Sequence, residues 1–223
     1  MEEKGEKTLL FVCLLALCNL TLFAQGGKHS RVVHTPEKSA IHVPPQETPA
    51  SLKMIYSNLG TKTGLYLDSS GWELSGPNSY KGSDYAYSIA MPFTPKSNSR
   101  VSQVRAAVQY AGFGVNQINL SVYGDAGGIP GTLLAGPVTV TNLPDSGTCC
   151  ALAVANFTPV AVTGGTQYWV VANTPLTGTG SNFIGGWDTI AKVVFFAGSN
   201  GVNGWGHINT DLLPAGEVLG TIP

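Results

Sequence analysis

An all-β fold, two antiparallel sheets packed as a jelly-roll-like sandwich, follows from three features of the sequence. Apolar runs alternate with a period of two, they recur at short regular intervals between turn clusters, and no stretch beyond Thr35 carries sustained helical periodicity with caps. Composition agrees: 28 Gly and 14 Pro, with only 11% charged residues, suit short strands joined by tight turns. Within the class, immunoglobulin topology is the alternative, but its Cys–Trp–Cys core signature is missing.

The first element is not part of the sandwich. Lys4 and Lys7 precede an apolar run over residues 9–24, and Gln25-Gly26-Gly27-Lys28 follows at once, which is the layout of an export signal (1–24) cleaved near Ala24. The run falls slightly short of the roughly 20 residues of a spanning helix, and Asn19 and Thr21 dilute it further. A secreted or periplasmic protein is therefore expected, with no membrane contact after cleavage. Glu2, Glu3 and Glu6 outnumber the two lysines, so a retained N-terminal anchor is the alternative. A lipoprotein reading uses Cys18, but Leu17 stands where a small residue is required. Residues 25–51 contain Pro36, Pro44, Pro45 and Pro49 without periodicity and read as a flexible linker. Its histidines, His29, His34 and His42, match no metal-converging spacing and read as solvated.

Residues 52–223 form the predicted single sandwich domain. The 85–95 segment opens its clear part, with Pro92 and Pro95 turning its end towards an edge or a sheet exit. Across residues 101–110, Val104, Ala106, Val108 and Tyr110 share a buried face, while Gln103, Arg105 and Gln109 share a face expected to be wet. Ile118, Leu120 and Val122 repeat the alternation over 117–123, and Gly112-Phe113-Gly114 is read as the loop joining these two strands into an antiparallel pair. Further strands are expected at 132–134, 137–141, 149–157, 167–172, 183–187, 192–196 and 217–222.

Lys and Arg total 12 against 13 Asp and Glu, and removing the leader with its three Glu and two Lys leaves 10 of each. A neutral protein without a basic stripe does not meet the demands of a phosphate backbone, so nucleic acid is excluded as a partner. An extracellular protein or polysaccharide is the expected partner class, with no cofactor.

Three segments are more specific than composition: Val-Tyr-Gly-Asp-Ala-Gly-Gly-Ile-Pro-Gly-Thr-Leu-Leu at 122–134, Gly-Thr-Cys-Cys-Ala-Leu at 147–152, and Gly-Gly-Thr-Gln-Tyr-Trp-Val-Val-Ala at 164–172. In this order and spacing the chain resembles the bacterial choice-of-anchor extracellular domains, most closely the R type. Ile-Tyr-Ser-Asn-Leu-Gly at 55–60 and Trp72 resemble that family's start, so the likeness spans roughly 55–220. It implies a secreted or surface-displayed β-sandwich of undetermined ligand and carries no catalytic residues over. The chain departs from the pattern at 220–223, where Gly-Thr-Ile-Pro offers no apolar tail, basic stop or sorting motif, so no C-terminal anchor is expected.

Around Asp125, Gly127 and Gly128 allow positive φ and the carboxylate can bond amides further along the loop, so a structural turn is expected. Calcium is the sharper alternative, for which one acidic residue is too few. Cys149 and Cys150 remain after leader removal, in an oxidising compartment. They are either bridged to each other or two thiols on opposite strand faces. Trp72, Trp187 and Trp205, flanked by Gly, Asp and Asn, are the candidate ligand-binding residues, because a flat ring can stack on a sugar; core packing is the competing role.

Catalysis needs convergent groups, whereas Asp68, Glu73, Asp84, Asp125, Asp145, Asp188, Asp211 and Glu217 are scattered. His207 is the one histidine in the domain, and no Gly-x-Ser-x-Gly turn supports a triad with Asp188 or Asp211. The sequence thus reads as a non-catalytic secreted module for extracellular or cell-surface interaction or structure. A carbohydrate-binding module using exposed tryptophans is the alternative, and a secreted hydrolase comes third.

Overall fold

Short alternating runs bounded by Gly, Pro, Asn and Asp fold into two antiparallel sheets, as seen in a computed structural model that describes residues 32–34, 51–61, 64–80 and 85–223. The leader and most of the linker lie outside the described residues. The strands are β1 (Val32–His34), β2 (Lys53–Ser57), β3 (Leu67–Ser75), β4 (Ser88–Phe93) and β5 (Ser99–Ala106). Then come β6 (Val108–Gly114), β7 (Gln117–Asp125), β8 (Pro130–Thr141) and β9 (Ala153–Val162). The last four are β10 (Tyr168–Asn173), β11 (Phe183–Ser199), β12 (Trp205–Pro214) and β13 (Gly216–Thr221).

The larger sheet runs β1-β3-β11-β4-β10-β7-β8, with β12 and β6 also paired to β11, and the smaller runs β2-β13-β5-β9. With β1, β4, β6, β10 and β12 set aside, the orders β3-β11-β7-β8 and β2-β13-β5-β9 have the winding of a jelly roll, the chain crossing between the sheets at every step except the β7–β8 hairpin. The predicted all-β sandwich is formed. Leu74, Ile89, Met91, Phe93, Val104 and Phe196, all at most 1% exposed, belong to one core packed between the sheets.

Several expectations at the level of single elements are corrected. The 101–110 run is two strands in different sheets: β5 pairs with β13 and β9, whereas β6 pairs with β11. Ala107 is the corner between them, donating to the Ala215 carbonyl at 3.0 Å and accepting from the Asp188 amide at 2.8 Å. Gly112-Phe113-Gly114 therefore does not close a hairpin, because β7 pairs with β10 and β8. The face carrying Gln103, Arg105 and Gln109 is buried. Its polarity is satisfied internally: Arg105 donates to Gln103 Oε1 at 2.7 Å and to Glu217 at 3.0 Å, and Gln103 donates to Asn156 at 2.8 Å. Segments 132–134 and 137–141 merge into β8, and 183–187 and 192–196 merge into β11. Within the stretch read as linker, Val32–His34 pair with Ser70, Gly71 and Trp72 of β3.

Candidate functional site

Two of the three candidate tryptophans are core residues. Trp72 and Trp187 sit opposite each other on β3 and β11 and are 7% and 0% exposed. Burial is tolerable because each indole N–H finds a carbonyl: Trp72 donates to Leu212 at 2.9 Å and Trp187 to Ala215 at 2.8 Å. The Trp72 ring packs on Phe196 with centroids 4.8 Å apart. Neither can meet a sugar, which corrects their assignment as ligand-binding residues. Trp205 is half-buried at the start of β12 and packs on a smaller cluster of Ala90, Trp169, Val171 and Ala197, on the side of the larger sheet away from the main core.

The Asp125 loop is the structural turn expected, and it does more than connect β7 to β8. Gly127 and Gly128 have φ of 71° and 87°, the left-handed region open to glycine. Asp125 accepts from the Gly128 amide at 3.1 Å on both oxygens, from Gln167 Nε2 at 2.9 Å and from Trp169 Nε1 at 2.8 Å. Partial desolvation pushes this carboxyl up, but the donors of Trp169, Gly128, Gln167 and Gly127 outweigh it and hold the carboxyl below its ordinary range. Ile129 packs on the Trp169 cluster, and a Cβ on Gly128 would come within 2.7 Å of the His207 ring. The turn is thus a strap reaching from β7 across the outer face towards β12. Oδ1 accepts from three N–H donors and Oδ2 from the Gly128 amide, the opposite of the oxygen cage that calcium takes.

Cys149 and Cys150 are joined to each other in the turn before β9, which therefore begins at Ala153 rather than within the predicted 149–157 strand. Cys150 is fully buried. Tyr66 donates to the Thr148 and Ala151 carbonyls at 3.2 and 2.9 Å, and Gln109 donates to Thr148 at 2.9 Å, so the turn is pinned from both sides.

The possible acid, base and nucleophile groups do not converge. Asp188 and His207 belong to different parts of the β11–β12 ladder: His207 faces Ala197, whereas Asp188 adjoins the Thr189–Pro214 pair that begins it. Asp188 is 4% exposed with Oδ2 unpartnered, and burial, then the nearby Asp68 charge, pushes its carboxyl well up. The side chain of Asp211 lies outside the described residues. Among the described residues no three His, Cys, Asp or Glu side chains are grouped to hold a metal.

One concave feature arises where the larger sheet opens. On one side of β11, pairing with β3 ends at Thr189 and pairing with β4 covers Ala197–Ser199 alone. Two local irregularities fall in the interval between these ladders. Pro92 has no N–H to donate, and the β11–β12 register shifts between Ala191 and Val194. The resulting cleft, about 310 Å³, is lined by Pro92, Thr94, Gln167, Lys192, Phe195 and Leu213. Tyr56 and Phe93, with ring centroids 6.1 Å apart, complete the wall. Phe93 is held in turn by Tyr168 at 5.6 Å. Phe195 is 59% exposed, unusual for a phenyl ring on a long strand, and Lys192 is the one charged residue among the described lining residues. A second hollow, about 540 Å³, lies between edge strands β8 and β9, where Arg100 is tied to the Pro159 carbonyl at 3.2 Å.

Sequence reasoning found the Asp125 turn and the cysteine pair but missed the cleft. The available signals were Pro92 inside a strand run and Lys192 interrupting an apolar one. No family model matches the chain, and neither a curated protein nor a solved structure matches it.

Proposed function

We propose that the protein is an exported, non-catalytic β-sandwich module, of the choice-of-anchor kind its sequence resembles, that works in interaction or structure outside the cytoplasm. The observation that carries this reading is the β4–β11 cleft. It lies beside a proline and a bulge, is walled by packed aromatic rings, and has no carboxylate, imidazole or thiol among its described lining residues. The leader pattern at 4–28 and the joined cysteine pair support an oxidising compartment. Carbohydrate is the favoured partner class over protein, because Phe195 offers a ring face beside the amide of Gln167 and the hydroxyl of Thr94. This places stacking on Phe195 rather than on Trp72 or Trp187.

The test has two arms. Expressed as the full chain in a bacterium with an export pathway, the protein should leave the cytoplasm and begin near Gln25; a cytoplasmic product retaining Met1 overturns the export reading. Incubated with a panel of insoluble polysaccharides, it should be depleted from solution without releasing reducing sugar, and sustained release would make it a hydrolase instead.

A further inference from the structure

We propose that the β4–β11 cleft binds a hexuronic acid residue of an acidic polysaccharide, with Lys192 pairing the carboxylate and Phe195 stacking on the C–H face of the ring. The proposal rests on the reading of the protein as an extracellular binding module and goes further by naming the sugar. Charge is the first argument: among the described lining residues Lys192 is the one charged side chain. The bulge is the second, since an inserted residue re-aims the side chains around it, and this one lies at Lys192.

Apolar shape is the third argument. A pyranose presents axial C–H bonds on one face and hydroxyls at its rim, which matches an exposed phenyl ring flanked by hydrogen-bonding groups. Gln167 spends Nε2 on Asp125 at 2.9 Å, which fixes the amide and leaves Oε1 as an acceptor. Thr94 adds a hydroxyl, and the floor is the buried Leu213 with Tyr56 and Phe93 behind. A neutral sugar would make no use of the lysine's charge, and a small inorganic anion would leave the phenyl face unused.

The probe is polygalacturonate, compared with its methyl ester, in which the carboxylates are neutralised on the same backbone. Affinity electrophoresis of the full chain should show retardation by polygalacturonate. Lys192→Gln should weaken it by about tenfold, the loss expected for one charge-assisted contact. Lys53→Gln, which removes the same charge from an exposed site on β2, should leave it unchanged. Methyl esterification should weaken binding to a similar extent and abolish the difference between wild type and Lys192→Gln. Phe195→Ala should weaken binding to both polymers. Urea midpoints equal to wild type will show that the variants are folded, since both side chains are exposed and bury little. No retardation by polygalacturonate, unchanged retardation of Lys192→Gln, or equal binding of ester and acid each overturns the proposal. Binding of neutral dextran that is lost in Phe195→Ala also overturns it, while leaving the broader binding-module reading standing.

Discussion

Replacing Asp125 with Ala removes the acceptor for four donors, and their burial sets the cost. The Gly128 amide and Gln167 Nε2 sit at an exposed turn, where water can replace the carboxylate. Trp169 is 1% exposed, so its indole N–H loses its partner in a site water reaches poorly. An unsatisfied buried donor costs about 1–3 kcal/mol, and the exposed bonds add a few tenths each, so a total of about 2 kcal/mol is expected from urea unfolding at pH 7. Asp125→Asn keeps an oxygen acceptor and should cost less than half as much. With Trp169→Phe as the second mutation, a double-mutant cycle should return about 1–2 kcal/mol of coupling. The donors hold the Asp125 carboxyl below its ordinary range, so this stability is present above the unfolded value near 3.9 and is lost as pH falls through the folded one. Melting temperature should not respond to calcium or to chelator. Coupling below about 0.3 kcal/mol would refute the strap, and a calcium-dependent rise abolished by Asp125→Ala would replace it with a metal site.

Glu217→Ala should cost about 3–5 kcal/mol, because it strands the buried Arg105 guanidinium, whereas Arg105→Met with Glu217→Leu should recover most of the loss in the same urea assay. Glu217 shows why the pair is not a net stabiliser: desolvation pushes its carboxyl up, and the opposing charge and hydrogen bond of Arg105 do not fully offset the push. Asp188→Asn should gain on wild type as pH rises. Burial raises the Asp188 carboxyl, so its contribution to stability is present below the unfolded value near 3.9 and fades at higher pH; parallel urea midpoints from pH 3.5 to 7 would count against this. Cys149 and Cys150 should resist alkylation in protein isolated without reductant, and reduction should change the urea midpoint little, because the link closes no long loop in the unfolded chain.

Fold class was legible because it depends on periodicity, and the strands read best are those with one apolar face. Ile118, Leu120 and Val122 alternate cleanly and form β7 within two residues of the expected bounds. β3 and β12 were missed because Leu-Asp-Ser-Ser-Gly-Trp-Glu-Leu-Ser and Trp-Gly-His-Ile-Asn-Thr-Asp-Leu-Leu-Pro do not alternate. Both lie beside the long β11, and strand propensity is largely a matter of such neighbours. Arg105 and Gln109 misled for a related reason: a polar residue in a strand signals solvent only if no partner waits in the fold, and Glu217 and Thr148 come from 112 and 39 residues away. Tryptophan context misled as well, since Gly and Asp around Trp72 and Trp187 mark a close cross-strand approach rather than loops. A Cβ at Gly71 would lie 3.1 Å from the Trp187 carbonyl oxygen.

The cleft illustrates where function escapes a pattern. A continuous sheet would carry β4 beside β11 past Ala90 and Ala197, and Phe195 would then lie beside Pro92 as one more covered strand residue. Pro92 cannot donate at that point, and the adjacent bulge displaces Lys192 from the alternation. Each departure weakens the strand signal locally, so a reading based on regularity passes over both. Together they leave a hole in an otherwise paired sheet, floored by core residues that pack whether or not anything occupies it. A site made by interrupting a ladder is pre-organised by the rest of that ladder, and this is the physical ground for proposing binding at Phe195 and Lys192 rather than at the buried Trp72 and Trp187.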